Sequence, residues 1–144
     1  SDARRAMRKD TASFRMRQDI AKVMPRKVYD VVDVMPSFPG GTVECMAYIA
    51  RNVKYPAECL SVGVTGRVLC SLVIDTDGSL CGIEAGEDSY ARLLDGKPAS
   101  NEMLRLFAEE AFRVIRGMPK WTPGQKDGKA VATRFFLPIT FRLQ

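Results

Sequence analysis

The sequence contains no histidine, which removes several kinds of chemistry at once. Ser-His-Asp and Cys-His catalysis both use an imidazole as the general base, and histidine is also the commonest metal ligand. The four cysteines are too widely spaced for any C-x-x-C metal pair. The glycine pairs at 40–41 and 63–66 fit no phosphate-binding loop. We therefore expect no enzymatic activity, no metal and no cofactor.

Long apolar runs are missing as well. No stretch of roughly 18 apolar residues occurs, so no segment of the sequence is predicted to span a bilayer. The first residues, SDARRAMRKD, lack the apolar stretch of a secretory signal peptide. The chain also begins without methionine, and we expect it to be part of a longer protein.

The net charge of +5 is unevenly distributed along the chain. Residues 1–27 hold nine basic and three acidic residues, a net charge of +6. Residues 28–144 hold thirteen basic and fourteen acidic residues, a net charge of −1. A nucleic-acid-binding domain would carry its basic residues on the folded surface, so we expect no nucleic-acid partner. The basic segment fits a solvated linker, and attraction to an anionic membrane surface stays open.

All four cysteines lie within apolar patterns, which favours burial as small hydrophobic residues. Their even number leaves disulfide formation open. Cys45 and Cys59 lie on neighbouring predicted helices and are the first pair to test. The remaining two cysteines are Cys70 and Cys81.

The length of 144 residues favours one domain, with residues 28–144 folded and residues 1–27 a basic linker or helical lead-in. A weak amphipathic pattern could make the lead-in helical; its apolar positions are Met7, Phe14, Met16, Ile20 and Val23. The segment VYDVVDVM (28–35) is rich in β-forming residues and predicts a short strand or an extended arm.

Three segments carry helix signals. The first, 42–52, can be capped by Thr42. The second is the short stretch PAECL, whose proline suits the first helical position. The third runs over about 100–116, where Ser100 or Asn101 can act as the cap.

Three further segments predict strands. RVLCSLVID (67–75) is apolar on both faces, which is typical of a central strand. DTDG (75–78) predicts a hairpin turn, with SLCGIEA as the partner strand. Residues 86–99 are predicted to be a long polar loop. The final run, AVATRFFLPITFRL (130–143), alternates in the manner of a strand.

Pro138 lies inside that final run and cannot donate a hydrogen bond to a ladder, so it predicts a sheet edge. Proteins either protect such an edge against aggregation or use it to bind another extended segment. The pattern alone favours the protected edge. The predicted fold is α+β: a small antiparallel sheet of about three strands with two main helices packed on one face.

The stretch MPKWTPGQKDGK (118–129) holds the only tryptophan of the chain. Gly117 and Pro119 end the third helix, so Trp121 lies on the crossover to the last strand. The chain offers no nucleophile, base or metal set for an active-site wall to serve. We therefore expect a buried structural ring that sets the angle at which the last strand enters the sheet.

Taken in order, MPSFPGG, NVKYP, VTGRVLCSLVIDTDGSL, MPKWTPGQKDGK and LPITFRL resemble the C-terminal domain of TonB energy transducers, especially the Bacteroides-type versions. The resemblance covers roughly residues 28–144 and rests on the order and spacing of the segments rather than on one motif. The motif positions for which we expect structural roles are Phe38, Pro39, Gly40, Gly41, Gly66, Gly78, Trp121, Pro123 and Gly124.

The resemblance implies a periplasmic domain that a linker joins to an inner-membrane anchor in the full-length protein. In such proteins an ExbB–ExbD-type complex drives the anchor with the proton-motive force. The domain meanwhile binds an extended segment of a TonB-dependent outer-membrane transporter by strand addition. The positions that match the binding strand are Val131, Ala132, Thr133, Arg134, Phe135 and Phe136. The positions that match the transporter-facing Tyr-Pro segment are Lys54, Tyr55 and Pro56.

Two features depart from the family pattern. The loop at 86–99 is longer than is usual, and residues 1–27 are charged rather than proline-rich. The same domain type also occurs on other envelope proteins, including membrane-embedded sensor peptidases. A TonB-like structural or sensory module is therefore the alternative function, and a homodimer through the last strand is left open.

Overall fold

A computed structural model describes residues 14–17, 24–25 and 27–143 of the chain. These residues form an α+β fold with three helices and seven strands. The helices are α1 (Thr42–Asn52), α2 (Ala57–Val62) and α3 (Asn101–Arg116). The strands are β1 (Met16–Arg17), β2 (Thr65–Ile74), β3 (Leu80–Ala85), β4 (Tyr90–Arg92), β5 (Gly124–Lys126), β6 (Lys129–Val131) and β7 (Thr133–Phe141).

Strand β2 is the centre of the main sheet, as its two apolar faces predicted. β7 pairs with it antiparallel without interruption, from Gly66 opposite Phe141 to Ile74 opposite Thr133. On its other side β2 pairs with β3 and, nearer its start, with β4. Strand β1 pairs with the far side of β3. Because β2 has neighbours on both sides, its backbone groups are satisfied without solvent.

The sheet therefore contains the three predicted long strands, β2, β3 and β7, and two short additions. The loop predicted over 86–99 is wrong in part, because β4 lies inside it. Between β3 and β4 the chain leaves β2 for a few residues. There Leu69 accepts a hydrogen bond from Gly86 N and donates one to Ser89 Oγ. The two bonds keep the backbone of Leu69 satisfied across the gap.

The helices and one face of the sheet share a single apolar core. Helix α3 contributes most of the helical part, and its buried residues are Leu104, Phe107, Ala108, Ala111, Phe112, Val114 and Ile115. Ser100 caps α3, since its side chain accepts a hydrogen bond from Met103 N at 3.2 Å. Thr42 does not cap α1: the helix begins at that residue, and the cap position is Gly41, which has no side-chain hydrogen bond to offer.

Residues 28–37, here called the arm, form no regular strand: the chain bends at Asp30, Val31 and Asp33 and makes only isolated bridges. Tyr29 forms a parallel bridge with Thr133. Further along the arm, Val34 forms a bridge with Gln125 in β5, and Ser37 forms one with Thr122, just before β5. Of the two forms that the sequence of the arm allowed, the short strand is therefore wrong. Ahead of it, the described residues 14–17 contain a strand, so a helix there is wrong. Met7, Ile20 and Val23 of that predicted helix lie outside the described residues.

The final run predicted as one strand is two. Residues up to Val131 form β6, which makes a hairpin with β5, and Ala132 separates it from β7. The tight turn of that hairpin has Asp127 and Gly128 at positive φ, the geometry of a two-residue β-turn. All four cysteines are buried, and Cys45 and Cys59, the first candidate pair for a disulfide in the sequence, are not bonded to each other. None of the described helices is long and apolar enough to cross a bilayer.

Candidate functional site

The outer edge of β7 follows from the alternation of its backbone groups. Tyr29 N donates to Ala132 O at 2.8 Å, and Arg134 N donates to Tyr29 O at 3.0 Å. Arg134 therefore directs its backbone groups away from β2. Because successive residues of a strand point their N–H and C=O groups to opposite edges, Phe136, Pro138 and Thr140 also face outward. The residues between them bond to β2.

The downstream part of this edge is open. Among the described residues no hydrogen bond reaches the backbone of Phe136, Pro138 or Thr140 on the outer side. Their three carbonyl groups are acceptors, while Phe136 and Thr140 supply N–H donors and Pro138 supplies none. A row of such groups is a template for one more strand. The prediction that Pro138 marks an edge strand is confirmed.

The upstream part of the edge is covered by the arm. Tyr29 occupies the backbone of Ala132 and Arg134, and Arg134 Nε lies 3.2 Å from Asp30 Oδ1. Val28 packs on a small apolar cluster that includes Ala132 on the sheet face away from the helices. The structure therefore divides the predicted binding residues, because the arm already contacts those at 132–134.

The other predicted binding residues take different positions. Val131 lies in the β5–β6 hairpin. Phe135 turns toward the helix side, where its ring centroid is 5.1 Å from that of Trp121. Phe136 is 58% exposed and has a free outer edge. The open edge continues past Phe136 to Thr140. The predicted binding residues ended at Phe136, before the proline. The alternation of the strand was the signal that could have extended this prediction.

Trp121 lies at the junction of four segments, and it is only 4% exposed. Its ring makes edge contacts with Phe38 of the loop after the arm, at 5.7 Å between centroids, and with Phe135 of β7. Its backbone N donates to Gly78 O at 2.8 Å in the β2–β3 turn. The crossover is thereby attached to the turn and to β7, which holds the start of β7 in place.

An apolar cleft of about 240 Å³ opens beside this tryptophan. Its walls include Met35, Met46, Trp121, Phe135 and Leu137. The indole Nε1 of Trp121 is buried without a hydrogen-bond partner among the described residues. The cleft lies on the helix side of β7, so it flanks the edge strand rather than forming part of the edge.

The Tyr-Pro segment serves packing at the other end of β7. The Tyr55 ring stands edge-on to Phe107 and Phe141, at 5.7 and 5.9 Å between centroids, and its hydroxyl donates to Val64 O. Thr133 and Phe141 lie eight residues apart, about 26 Å along a strand. The structure thus separates the Tyr-Pro segment from the predicted binding residues near Val131 and places it beside the downstream end of β7.

The neighbours of Tyr55 fix the segment's backbone. Lys54 is exposed, and its N–H donates to Glu110 Oε2 at 2.6 Å. Pro56 precedes α2 as its cap residue. Burial alone would raise the pKa of Glu110, but hydrogen bonds from Arg113 and from Lys54 N, with the positive charges of both residues, hold that pKa below its usual value.

At two glycines of the predicted motif an added Cβ would lie less than 3 Å from a backbone oxygen. A Cβ on Gly66 would lie 2.3 Å from Tyr90 O, where β4 pairs with β2. A Cβ on Gly78 would lie 2.0 Å from Trp121 O, and Gly78 has φ +86°. Both positions exclude larger residues. The other motif residues lie in the loop before α1 or around β5; they are Phe38, Pro39, Gly40, Gly41, Pro123 and Gly124.

The polar groups that this site offers are the unpaired backbone N–H and C=O groups on the outer edge of β7. Among the described residues no group of histidine, cysteine and carboxylate side chains could hold a metal ion. Burial raises the pKa of the Cys70 thiol to about 12 and also raises the pKa values of Cys45 and Cys59. These thiols are therefore protonated and unreactive at neutral pH.

Comparison with known proteins gives a family match. The family model described as the Gram-negative bacterial TonB protein C-terminal region matches residues 51–143. The chain is similar to the solution structure of the TonB C-terminal domain of Helicobacter pylori. The identity is 21%, the alignment covers 74% of this chain and 87% of that one, and the TM-score is 0.49. No curated protein matches the sequence.

Proposed function

The chain belongs to the family of C-terminal domains of Gram-negative bacterial TonB proteins, and from this premise we propose that it binds outer-membrane transporters by strand addition. An extended transporter segment pairs with the outer edge of β7 and becomes the next strand of the sheet. The domain works in the periplasm. It binds and holds its partner, and it carries out no chemical reaction.

The observation that carries this proposal is the open backbone of Phe136, Pro138 and Thr140. Three acceptors and two donors on one edge match the alternating groups of an extended peptide. Pro138 has no N–H group, so this edge can donate one hydrogen bond fewer. The other backbone groups of the edge are still available to a partner strand. Main-chain hydrogen bonds supply affinity in this mode of binding, and side-chain pockets beside the edge supply specificity.

The arm sets where the partner strand begins. Tyr29 holds the backbone of Ala132 and Arg134, so a partner that leaves the arm in place pairs from Phe136 onward. Pairing along the whole of 131–136 requires the arm to leave. The arm contributes few backbone bonds to β7, and an exchange of one extended segment for another keeps the number of bonds similar.

Force transmission is the second part of the proposal. An upstream anchor in the inner membrane, driven by an ExbB–ExbD-type complex, pulls on the domain while the domain holds the transporter. A pull from upstream first reaches β1, which is paired with β3. Once β1 has detached, the pull reaches the arm at the start of β7. The long β2–β7 ladder resists that load over nine paired residues on each strand.

A peptide titration followed by NMR tests the binding step. The probes are peptides that copy the N-terminal segments of outer-membrane transporters from the same genome. Thr140→Pro removes one outward donor and leaves the β2 ladder intact, since the neighbouring Pro138 already occupies the same kind of position. Thr140→Val is the matched control, because it keeps the N–H. We expect binding to weaken on the order of fivefold in Thr140→Pro only.

Other outcomes separate the alternatives. If no transporter peptide shifts the β7 amide signals at millimolar concentration, the transporter function is wrong and a structural or sensory role gains support. If light scattering shows a tight dimer without peptide, and hydrogen exchange shows that the amides of Phe136 and Thr140 are protected in it, the edge serves self-association. If Thr140→Pro and Thr140→Val bind equally, the partner does not pair with this edge.

A further inference from the structure

Three arginines lie together on the sheet face away from the helices, beside the open end of β7. Arg67 of β2 has Thr140 of β7 as its neighbour on one side and Tyr90 of β4 on the other. Thr65, two residues earlier on β2, pairs with Arg92. Because residues two apart on a strand share a face, the side chains of these pairs project together. Arg142 follows at the end of β7 and completes an open groove of about 510 Å³.

The groove has an uncompensated positive charge. Arg67, Arg92 and Arg142 are all exposed, and none forms an ion pair with a carboxylate among the described residues. Arg92 stacks on the ring of Tyr90, with 4.4 Å from its guanidinium carbon to the ring centroid. This contact leaves the hydrogen-bond donors at the edge of the guanidinium group available.

The opposite end of the same face carries the other sign. A second, smaller hollow beside Phe136 is lined by Glu84, Glu87 and Asp88 together with Arg15. Two of these carboxylates are already paired with arginines of the N-terminal segment. On this face the carboxylates therefore lie level with Phe136 but across β2 from the open edge, whereas the arginines without an ion pair among the described residues lie near Thr140.

We propose that the groove binds a carboxylate side chain of the peptide that adds to β7, and that this contact sets the register and direction of the added strand. The inference rests on the proposed function, because strand addition is what brings the peptide beside the groove. It adds the chemical class of the recognised side chain, an aspartate or glutamate at the end of the segment that lies next to Thr140.

The sheet spacing decides which arginine contributes most. Neighbouring strands lie about 4.8 Å apart, so an added strand lies next to Arg142 and about 10 Å from the β2 backbone. The long side chain of Arg67, which is on β2, can span most of that 10 Å distance to the added strand. Arg92 is one strand further away and acts mainly through its charge, which is screened over about 10 Å at ordinary salt. A guanidinium group suits this role because its planar donors match a carboxylate.

A glutamate scan of the peptide tests the proposal. The probe is a transporter peptide that adds to β7, with its acidic residues changed to amides and a single glutamate placed at successive positions. We expect tighter binding for glutamate at one end only. In Arg67→Gln/Arg142→Gln that preference falls on the order of fivefold and becomes insensitive to salt, whereas Arg92→Gln has a smaller effect. Amide shifts at Phe136 and Thr140 report strand addition independently of affinity.

The matched control is Arg105→Gln/Arg116→Gln, which removes two exposed arginines from α3 on the other side of the sheet. It should keep the glutamate preference, and a loss in this variant as well would show a general charge effect and overturn the proposal. Peptides that add to β7 without any glutamate preference overturn the groove and leave the proposed function standing. Peptides that leave the β7 amides unchanged overturn both.

A membrane role for the same arginines is a separate outcome. Vesicles containing phosphatidylglycerol would then bind the wild-type chain and not Arg67→Gln/Arg142→Gln, with no glutamate preference in the peptides. That result would overturn the carboxylate proposal in favour of an anionic lipid surface.

Discussion

Replacing Trp121 by alanine should lower the free energy of unfolding by about 3–5 kcal/mol, the usual loss for a buried aromatic residue. The ring is 4% exposed, so nearly all its area is out of water. It also makes two edge contacts, with Phe38 and Phe135, each worth about 0.5–1.5 kcal/mol beyond burial. In a chain of this size the loss corresponds to a fall of roughly 10–20 °C in Tm.

Urea unfolding followed by circular dichroism measures this loss, since the substitution removes the only tryptophan fluorophore. Trp121→Phe is the informative control. It keeps an aromatic ring against Phe38 and Phe135 and removes an indole N–H that has no acceptor among the described residues. Because no hydrogen bond is lost, we expect Trp121→Phe to cost about half as much as Trp121→Ala, or less.

Two results would refute this reasoning. A loss below about 1 kcal/mol in Trp121→Ala would mean that the ring does not join the crossover to β7. Equal losses in the alanine and phenylalanine variants would mean that a phenyl ring at this position recovers none of the packing against Phe38 and Phe135. The fluorescence maximum of the wild-type chain gives an independent check, because a buried indole emits at shorter wavelength than an exposed one.

Three other predictions follow from backbone geometry and titration. Gly78→Ala should lower the free energy of unfolding by about 2 kcal/mol or more, and Gly96→Ala by about 1 kcal/mol. Both glycines have φ +86°, but only at Gly78 would the added Cβ lie 2.0 Å from a backbone oxygen. Equal losses for the two variants in urea unfolding would contradict this prediction. Glu110→Gln should lower the free energy of unfolding at pH 7. The difference in this free energy from wild type should shrink as pH falls below 4.5, because Arg113 keeps the pKa of the Glu110 carboxyl in the folded chain below that value. A difference that grows on acidification would contradict this prediction. Cys70 should resist thiol reagents in the native state, because burial raises its pKa to about 12, and labelling at the rate of the unfolded chain would contradict it.

Much of the fold could be predicted because the relevant signals are local. Helix α3 has helical spacing and a serine cap, β2 is apolar on both faces, and DTDG marks the turn between β2 and β3. Strand β4 escaped prediction because it is three residues long within a polar segment. Its pairing with β2 stabilises it, and pairing is a property of the tertiary structure.

The candidate site was predictable only in part. Pro138 indicates an edge strand from the sequence alone, whereas the covered and open parts of that edge depend on Tyr29, a residue more than 100 positions away. The division of the last run at Ala132 has the same origin, since the arm and the β5–β6 hairpin meet there. The basic groove joins Arg67 of β2, Arg92 of β4 and Arg142, which follows β7, and no sequence spacing shows that juxtaposition.

Amide hydrogen exchange with and without a transporter peptide tests strand addition most directly. The backbone N–H groups of Phe136 and Thr140 point outward, whereas those of Leu137 and Ile139 point toward β2. The exchange rates of these two pairs of amides should therefore respond differently to the peptide. Bound peptide should slow amide hydrogen exchange at Phe136 and Thr140, on the order of tenfold or more, while the amides of Leu137 and Ile139 stay protected with and without peptide. Saturating peptide with unchanged exchange at both outward amides would contradict strand addition.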